Sequence, residues 1–540
     1  MSSSFTLIDS FILFVYLIIV LSIGFYYSRR SDRSSSEYFL GGRNLGWITV
    51  GLSIFATNIS SEHFIGLAGS GSIRGLVVGQ FELMAIFILI VLGWFLAPIY
   101  IKSGVTTMPE FLEKRFDKRS RQFFTVLSIL MYLFTKITVT IFAGGILFYK
   151  IFGLNIYTSA IILILVTGLY TVIGGANAVM RVHTFQGILL IMAALVLTLF
   201  GLNEVGGISA LKQKLSPELF EMFKPASDPD YPWTGIIFGA PIIAFWYWCT
   251  DQFIVQRVLS AKSINDARRG SLLAALLKIL PLFILVLPGL IAAVLYPEVR
   301  GDEVYPVLLF SNILPVGVKG FVVAGLLAAI MSSLASVFNS TATLFTNDFY
   351  KPRNPESSER KLVLVGRLST TVTVIMAILC VPLVKIISSQ VYLFMQGVQA
   401  YIGPPITAVF IFGILFKKTT AQAAIWTLII GESIGILRLV VDMLVNMNYI
   451  TDPFIISIIQ INFLHFAILS FLICSLLIIL ISAVTQKEEG SIKKAQYLFT
   501  DSFRDITYEI NHVSTVNSYK LNIFISLFIL LIIFGLWSLW

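Results

Sequence analysis

The chain has 540 residues, 57% hydrophobic and only 12% charged, with a formal charge of +9 and a mean hydropathy of +0.88. Soluble domains carry charge on about a quarter of their residues, so this composition excludes a water-soluble globular protein. The positive balance does not make a nucleic-acid surface either, because no basic cluster sits on a soluble segment.

Apolar runs of about 20 residues, the length of a membrane-crossing helix, recur about fourteen times. In chain order they fall near 5–28, 47–75, 79–101, 122–149, 155–174, 179–202, 234–257, 268–296, 317–347, 363–386, 391–416, 420–446, 453–485 and 520–540. The first lacks a basic leader and a small-residue cleavage site, so it reads as a retained span rather than a signal peptide. If the N-terminus lies outside, the inner loops collect Arg29, Arg30, Arg33, Arg43, Lys102, Lys114, Arg115, Lys118, Arg119 and Arg121. They also take Arg257, Lys262, Arg268, Arg269, Lys351, Arg353, Arg360 and Lys361. The outer loops hold only Arg74, Lys150, Lys212, Lys214, Lys224, Arg300 and Lys385. Basic residues stay cytoplasmic, which predicts a multi-pass cell-membrane protein with both termini outside. An outer loop near 203–233 is acidic, and a mixed-charge inner loop near 486–519 joins the last two spans. Cys249, Cys380 and Cys474 lie in spans without metal-like spacing and read as packing residues.

The second run is interrupted. "SIFATNISSEHFIG", residues 53–66, puts Thr57, Asn58, Ser60, Ser61, Glu62 and His63 at mid-span. Hydrocarbon cannot satisfy such groups, so protein or a water-filled cavity surrounds them. A broken helix also frees backbone carbonyls that can ligate a cation. A simple packing kink is the alternative reading, since Ala56, Ser60, Ser61 and Gly66 suit close helix contact. Five spans later, "GAPIIAFWYWCTDQFIVQR", residues 239–257, carries Pro241, an aromatic cluster and Thr250-Asp251-Gln252. An odd number of spans per repeat inverts the repeat in the bilayer. Two breaks in corresponding places then point to a midplane site. This divides the chain into a leading span (1–46), a first repeat (47–202), an outer loop (203–233), an inverted second repeat (234–418) and three peripheral helices (419–540).

Other polar groups join these breaks. Glu82 lies in the third span, Lys278 in the eighth, and Gln396 and Gln399 in the eleventh. Asn58, His63, Glu82, Lys278 and Gln396 would supply the donors and acceptors a sugar needs; Phe81, Tyr247 and Trp248 would supply flat apolar faces. Glu82 and Lys278 also read as a plain bundle-stabilising pair. "LLAAIMSSLASVFNSTATLFTNDFY", residues 326–350, crowds hydroxyls onto one span. Such residues serve helix packing, or, with carbonyls freed near Ala56, an oxygen cage for a hard cation such as sodium.

Together "YFLGGRNLGW", "ATNISSEHFIG", "TMPEFLEKRF", "YWCTDQFIVQR", "FNSTATLFTNDFY" and "GPPITAVF" resemble the sodium/solute symporter family, specifically its sodium–sugar cotransporters, from about Glu37 to Lys418. The resemblance implies an all-α, LeuT-like core of five plus five inverted spans, flanked by one extra span before and three after. It implies sugar contacts at Asn58, His63, Glu82, Tyr247, Trp248, Lys278 and Gln396, an inner gate at Tyr247, and outer gates at Leu67, Phe81 and Tyr392. It implies sodium ligands at the backbone oxygens of Ala56, Ile59 and Ala329 and the hydroxyls of Ser332 and Ser333. It implies sodium as the co-transported ion and a glucose- or galactose-like monosaccharide as the solute. No triad, metal cluster or Walker motif points to catalytic chemistry, and a bundle self-sufficient in the lipid bilayer is expected to transport as a monomer. One departure is Arg181-Val182-His183, where the family commonly has an aromatic followed by Thr-Asp; this implies one sodium per sugar. His183 then reads as a solvated loop residue, or as a group lending pH sensitivity. Ala244 and Ala85 replace polar positions and would change which hydroxyls are read. A sodium/myo-inositol or other polyol symporter, a non-transporting sugar sensor and an ion channel are the competing readings.

Overall fold

The computed structural model describes residues 5–31, 34–141, 144–145, 149, 153–382, 391–485 and 516–539. Arg33, Lys150, Lys385 and most of the loop near 486–519 lie outside the described residues. Among the described residues the chain is helical, and pairing between extended segments is confined to two isolated bridges. Eleven helices among them are long and apolar enough to cross a membrane. Two, Glu62–Ser103 and Tyr157–Val205, run 42 and 49 residues, well beyond the roughly 20 that one crossing needs.

The helices used below are α1 (Leu7–Ser31), α2 (Trp47–Asn58), α3 (Ala68–Arg74), α4 (Gln80–Val91), α5 (Lys118–Met131), α6 (Ile156–Val205) and α7 (Ala240–Phe245). They continue as α8 (Gln252–Leu259), α9 (Ile264–Leu277), α10 (Val318–Leu344), α11 (Glu359–Cys380), α12 (Val391–Leu415), α13 (Ala421–Asn446), α14 (Phe463–Val484) and α15 (Val516–Leu539). Peripheral helices are apolar outside and small or polar inside. On α11, Leu364, Leu368, Val372, Ile375 and Leu379 are each more than half exposed, while Gly366, Thr370, Thr373 and Ala377 are buried. Lipid solvates leucine as well as a protein interior does, so the packing face goes to side chains that allow close approach and hydroxyl pairing. At the centre is α10, buried along almost its whole length, against α6, α1, α2 and α11.

The long helix α6 is two helices fused at Gly175, whose φ of 53° and ψ of −158° are not helical. A Cβ there would sit 2.5 Å from the Tyr38 carbonyl oxygen. The left-handed φ and the close approach both require glycine, so the turn between the fifth and sixth expected runs falls here.

The two interrupted spans break alike. After α2 the chain leaves the helix at Ile59 (φ −72°, ψ 112°). After α7 it leaves at Asp251 (φ −74°, ψ 123°). Asp251 then caps α8 by accepting the Phe253 N–H at 3.0 Å, an acidic N-cap that also suits the helix dipole. Leu45, just before α2, is bridged to Ala261, just after α8: Leu45 N–H donates to Ser260 at 3.1 Å and Lys262 N–H to Leu45 at 3.0 Å.

Several basic residues counted above as inner-loop charges are structural ties. Arg257 is fully buried, donating to the Phe253 carbonyl at 2.7 Å and the Ser336 hydroxyl at 2.6 Å. Arg115 is buried and donates to the carbonyls of Gly413 at 2.6 Å and Phe416 at 2.9 Å. Arg268 is 2% exposed, with its guanidinium over Trp94 and Tyr519.

Candidate functional site

A cavity enclosing about 770 Å³ of atom-free space, its mouth included, lies where the two breaks meet. Three widened, π-helical turns present its key side chains: Glu62–Leu67, Tyr132–Ile137 and Trp246–Thr250. Such turns redirect a side chain without ending the helix and concentrate at functional positions.

Of the side chains expected to contact a sugar, Asn58, His63, Glu82, Tyr247, Trp248, Lys278 and Gln396 all line this cavity. They form one network. Lys278 ion-pairs with Glu82 and donates to Asn58 Oδ1 at 2.7 Å. Asn58 Nδ2 donates to the Tyr247 hydroxyl at 3.1 Å. The Tyr392 hydroxyl donates to Glu82 Oε1 at 3.4 Å, and His63 Nε2 lies 3.7 Å from the same oxygen. Lys278 also sits 5.3 Å from the centre of the Trp248 ring. Lys278 is 1% and Glu82 3% exposed. Two such charges survive in a low-dielectric interior only as a hydrogen-bonded pair, so both readings of the sequence hold: the pair joins the bundle and faces the cavity.

Phe81 and Tyr392 close one side of the cavity, their rings edge-to-face at 6.1 Å. Phe81 also meets Tyr231 of the 203–233 segment and Phe463 of α14. Gly66 permits this arrangement, because a Cβ there would approach Tyr392 Cβ to 2.7 Å. Leu67, expected as an outer gate, is fully buried and does not line the cavity.

The expected cation ligands converge. In an unbroken helix Ser60 N–H would bond the Ala56 carbonyl. Here it points to His63 Nδ1 at 3.4 Å. Ala56 O instead accepts the Ser332 hydroxyl at 2.6 Å, and Thr57 O accepts that of Ser333 at 3.2 Å. The Ser332 hydroxyl is also 2.9 Å from Ala329 O. Ile59 is the extended residue of the break and is fully buried. Freed carbonyls and two serine hydroxyls thus meet between α2 and α10, an all-oxygen set without a carboxylate, suited to a hard monovalent ion.

His183 is not a solvated loop residue. It is fully buried within α6, with Nδ1 3.3 Å from both the Ser53 and Thr57 hydroxyls. The α6 helix does not end after its glycine turn, so the residue faces α2 instead of water. Thr57 continues the chain of hydroxyls to Ser336 at 3.0 Å.

Sequence reading gave no role to three other cavity residues: Glu62, Lys136 and Thr140. Lys136 pairs with Asp251 at 2.5 Å and stacks over Phe253 at 3.7 Å and Tyr247 at 4.8 Å. Tyr132 also donates to Asp251. A lysine in mid-run, as in "YLFTKITVT", is the signal that marks it.

Two broken helices that meet at a polar cavity, with serine hydroxyls bonded to the carbonyls freed at one break, fit a membrane carrier of the LeuT fold, a transporter and not an enzyme. The chain belongs to the sodium:solute symporter family, which matches residues 38–431. It is 38% identical over 523 residues to mouse sodium/glucose cotransporter 1, covering 88% of this chain and 78% of that one. It is 39% identical over 472 residues to pig sodium/myo-inositol cotransporter 2, covering 80% and 70%. A solved Na+-coupled sialic acid symporter in a substrate-bound outward-open state shares the fold, with a TM-score of 0.73 over 90% of this chain and 99% of that one at 23% identity.

Proposed function

We propose that this protein is a sodium-coupled symporter that moves a glucose- or galactose-like monosaccharide into the cell by alternating access. The observation that carries the reading is the hydrogen bonding of Ser332 and Ser333 to carbonyls freed at the α2 break, next to the cavity lined by Asn58 and His63. Sodium takes the place of those serine-to-carbonyl bonds, ligated by the oxygens of Ala56, Ile59, Ala329, Ser332 and Ser333. It thereby fixes the break and the side chains just after it. Asn58, His63, Glu82, Lys278 and Gln396 bond the hydroxyls of the sugar, and Trp248 and Tyr247 receive its C–H faces. Because the ion orders groups that contact the sugar, each ligand favours the other, and this coupling is reciprocal. Phe81 and Tyr392 close the outer side; Tyr247 opens the inner side.

The stoichiometry proposed is one sodium per sugar, since His183 stands where a carboxylate would serve a further ion. The chain crosses the bilayer fourteen times, with both termini outside, and the monomer is the transporting unit. A myo-inositol or polyol substrate is the second reading, favoured by the 39% identity to the pig inositol cotransporter. Uptake of labelled glucose, galactose and myo-inositol into proteoliposomes, with and without an inward sodium gradient, tests both. Sodium-driven accumulation of a hexose is expected. Uptake indifferent to sodium overturns the symport reading, and accumulation of inositol alone overturns the hexose assignment.

A further inference from the structure

Two carboxylates line the cavity, Glu62 and Glu82, and they differ in what they touch. Glu82 is held by Lys278 and Tyr392. Lys136, the other lysine at the cavity, is held by Asp251. Glu62 has no lysine or arginine at ion-pair distance, and its Oε2 is buried without a hydrogen-bond partner. The nearest ionisable contact is His63 Nδ1, 3.9 Å from Glu62 Oε1. That nitrogen accepts the Ser60 N–H at 3.4 Å, so the ring is the neutral tautomer with its proton on Nε2. His63 therefore gives Glu62 neither a charge nor a proton.

A buried carboxylate oxygen without a donor is costly and marks a position where a ligand supplies one. The side chain lies at the first turn after the break, next to His63 and on the same interrupted span as Asn58. We propose that Glu62 is a further specificity residue, whose Oε2 accepts a hydrogen bond from one hydroxyl of the transported sugar. This inference rests on the sugar-symport reading. Glu82, already neutralised by Lys278, reads its hydroxyl as part of a pair; Glu62 has no lysine or arginine at ion-pair distance and reads one through the oxygen, Oε2, that no donor holds.

The experiment is inhibition of sodium-driven hexose uptake by a series of monodeoxy hexoses, for wild type, Glu62→Gln and Glu62→Ala in proteoliposomes. In wild type, one deoxy analogue is expected to compete about tenfold or more weakly than the parent sugar, the scale of one hydrogen bond to a charged group. In Glu62→Ala the parent sugar weakens by a similar factor while that analogue does not, so the discrimination collapses at one position. At saturating sugar the sodium concentration for half-maximal uptake stays within about twofold. Glu62→Gln, isosteric and still an acceptor, retains part of the discrimination. Equal weakening for every analogue, or a shifted sodium dependence with discrimination intact, overturns the proposal and assigns Glu62 to the fold or the ion. Complete loss of transport in both variants also overturns it, because a contact to one hydroxyl leaves residual uptake. Sodium-independent uptake by the wild type is a separate outcome: it removes the symport reading and leaves the deoxy comparison standing on its own.

Discussion

Replacing Lys278 by methionine removes the charge and keeps most of the side-chain volume. Glu82, 3% exposed, then loses its cation and Asn58 Oδ1 loses the donor at 2.7 Å. Breaking a buried pair by deleting one partner costs about 3–5 kcal/mol, or roughly two to four powers of ten in the folding equilibrium. Adding Glu82→Gln to Lys278→Met removes the stranded charge. The double variant should therefore lose less than the two single variants together, by about 2 kcal/mol or more, while the cost at Asn58 is common to both and cancels. The assay is equilibrium unfolding of purified protein in mixed micelles, in the absence of sodium and sugar, for all four members of the cycle. Additivity within about 0.5 kcal/mol is the signature of independent sites and would refute the coupling of Glu82 to Lys278.

Three further outcomes are expected. Ser333→Ala should raise the sodium concentration needed for half-maximal uptake more than it alters the ranking of competing sugars, and Gln396→Ala should do the reverse; the opposite pattern in either case is evidence against the assignment. Gly175→Ala forces a Cβ to within 2.5 Å of Tyr38 O at a φ of 53° and should destabilise the protein by about 1–3 kcal/mol, measured as thermal survival in detergent; an unchanged midpoint contradicts the strained-turn account. Burial raises the Asp228 carboxyl, but the Tyr231 and Asp230 N–H groups and Arg74 outweigh it, holding it below its ordinary 3.8. A depressed carboxyl stabilises above its ordinary value and loses that effect as pH falls through the depressed one. The 203–233 segment should thus loosen only in acid, below about pH 4, in proteolysis of the wild type, and Asp228→Asn should be loosened at neutral pH as well.

The site was legible where polarity conflicts with lipid. Thr57 to His63 cannot sit in hydrocarbon, and that conflict located the first break; Asp251 located the second. The nearly equal dihedrals at Ile59 and Asp251 are what an offset of five spans leads one to expect of inverted copies. Ser332 and Ser333 were harder, since hydroxyls also serve helix packing, and only their bonds to Ala56 and Thr57 separate the two uses. His183 is helical and buried, not a loop residue, because the chain turns within one residue at Gly175 and then resumes the helix. Arg257 and Arg115 were counted as loop charges because a sequence gives their position relative to a run's end but not the carbonyls available to hold them. Glu62 and Lys136 went without roles for a similar reason: whether an intramembrane charge is paired depends on contacts more than a hundred residues away, as Lys136 with Asp251.

The central claim is that sodium at the α2 break shapes the sugar cavity. It is tested most directly by sugar affinity measured through tryptophan fluorescence, Trp248 lining the cavity, in sodium and in potassium at equal ionic strength. Sodium should raise the affinity for the transported sugar by about 5- to 150-fold, the span of ordinary site-to-site coupling, and Ser333→Ala should shrink that ratio. Equal affinity in the two salts, with wild type and Ser333→Ala alike, would contradict the account.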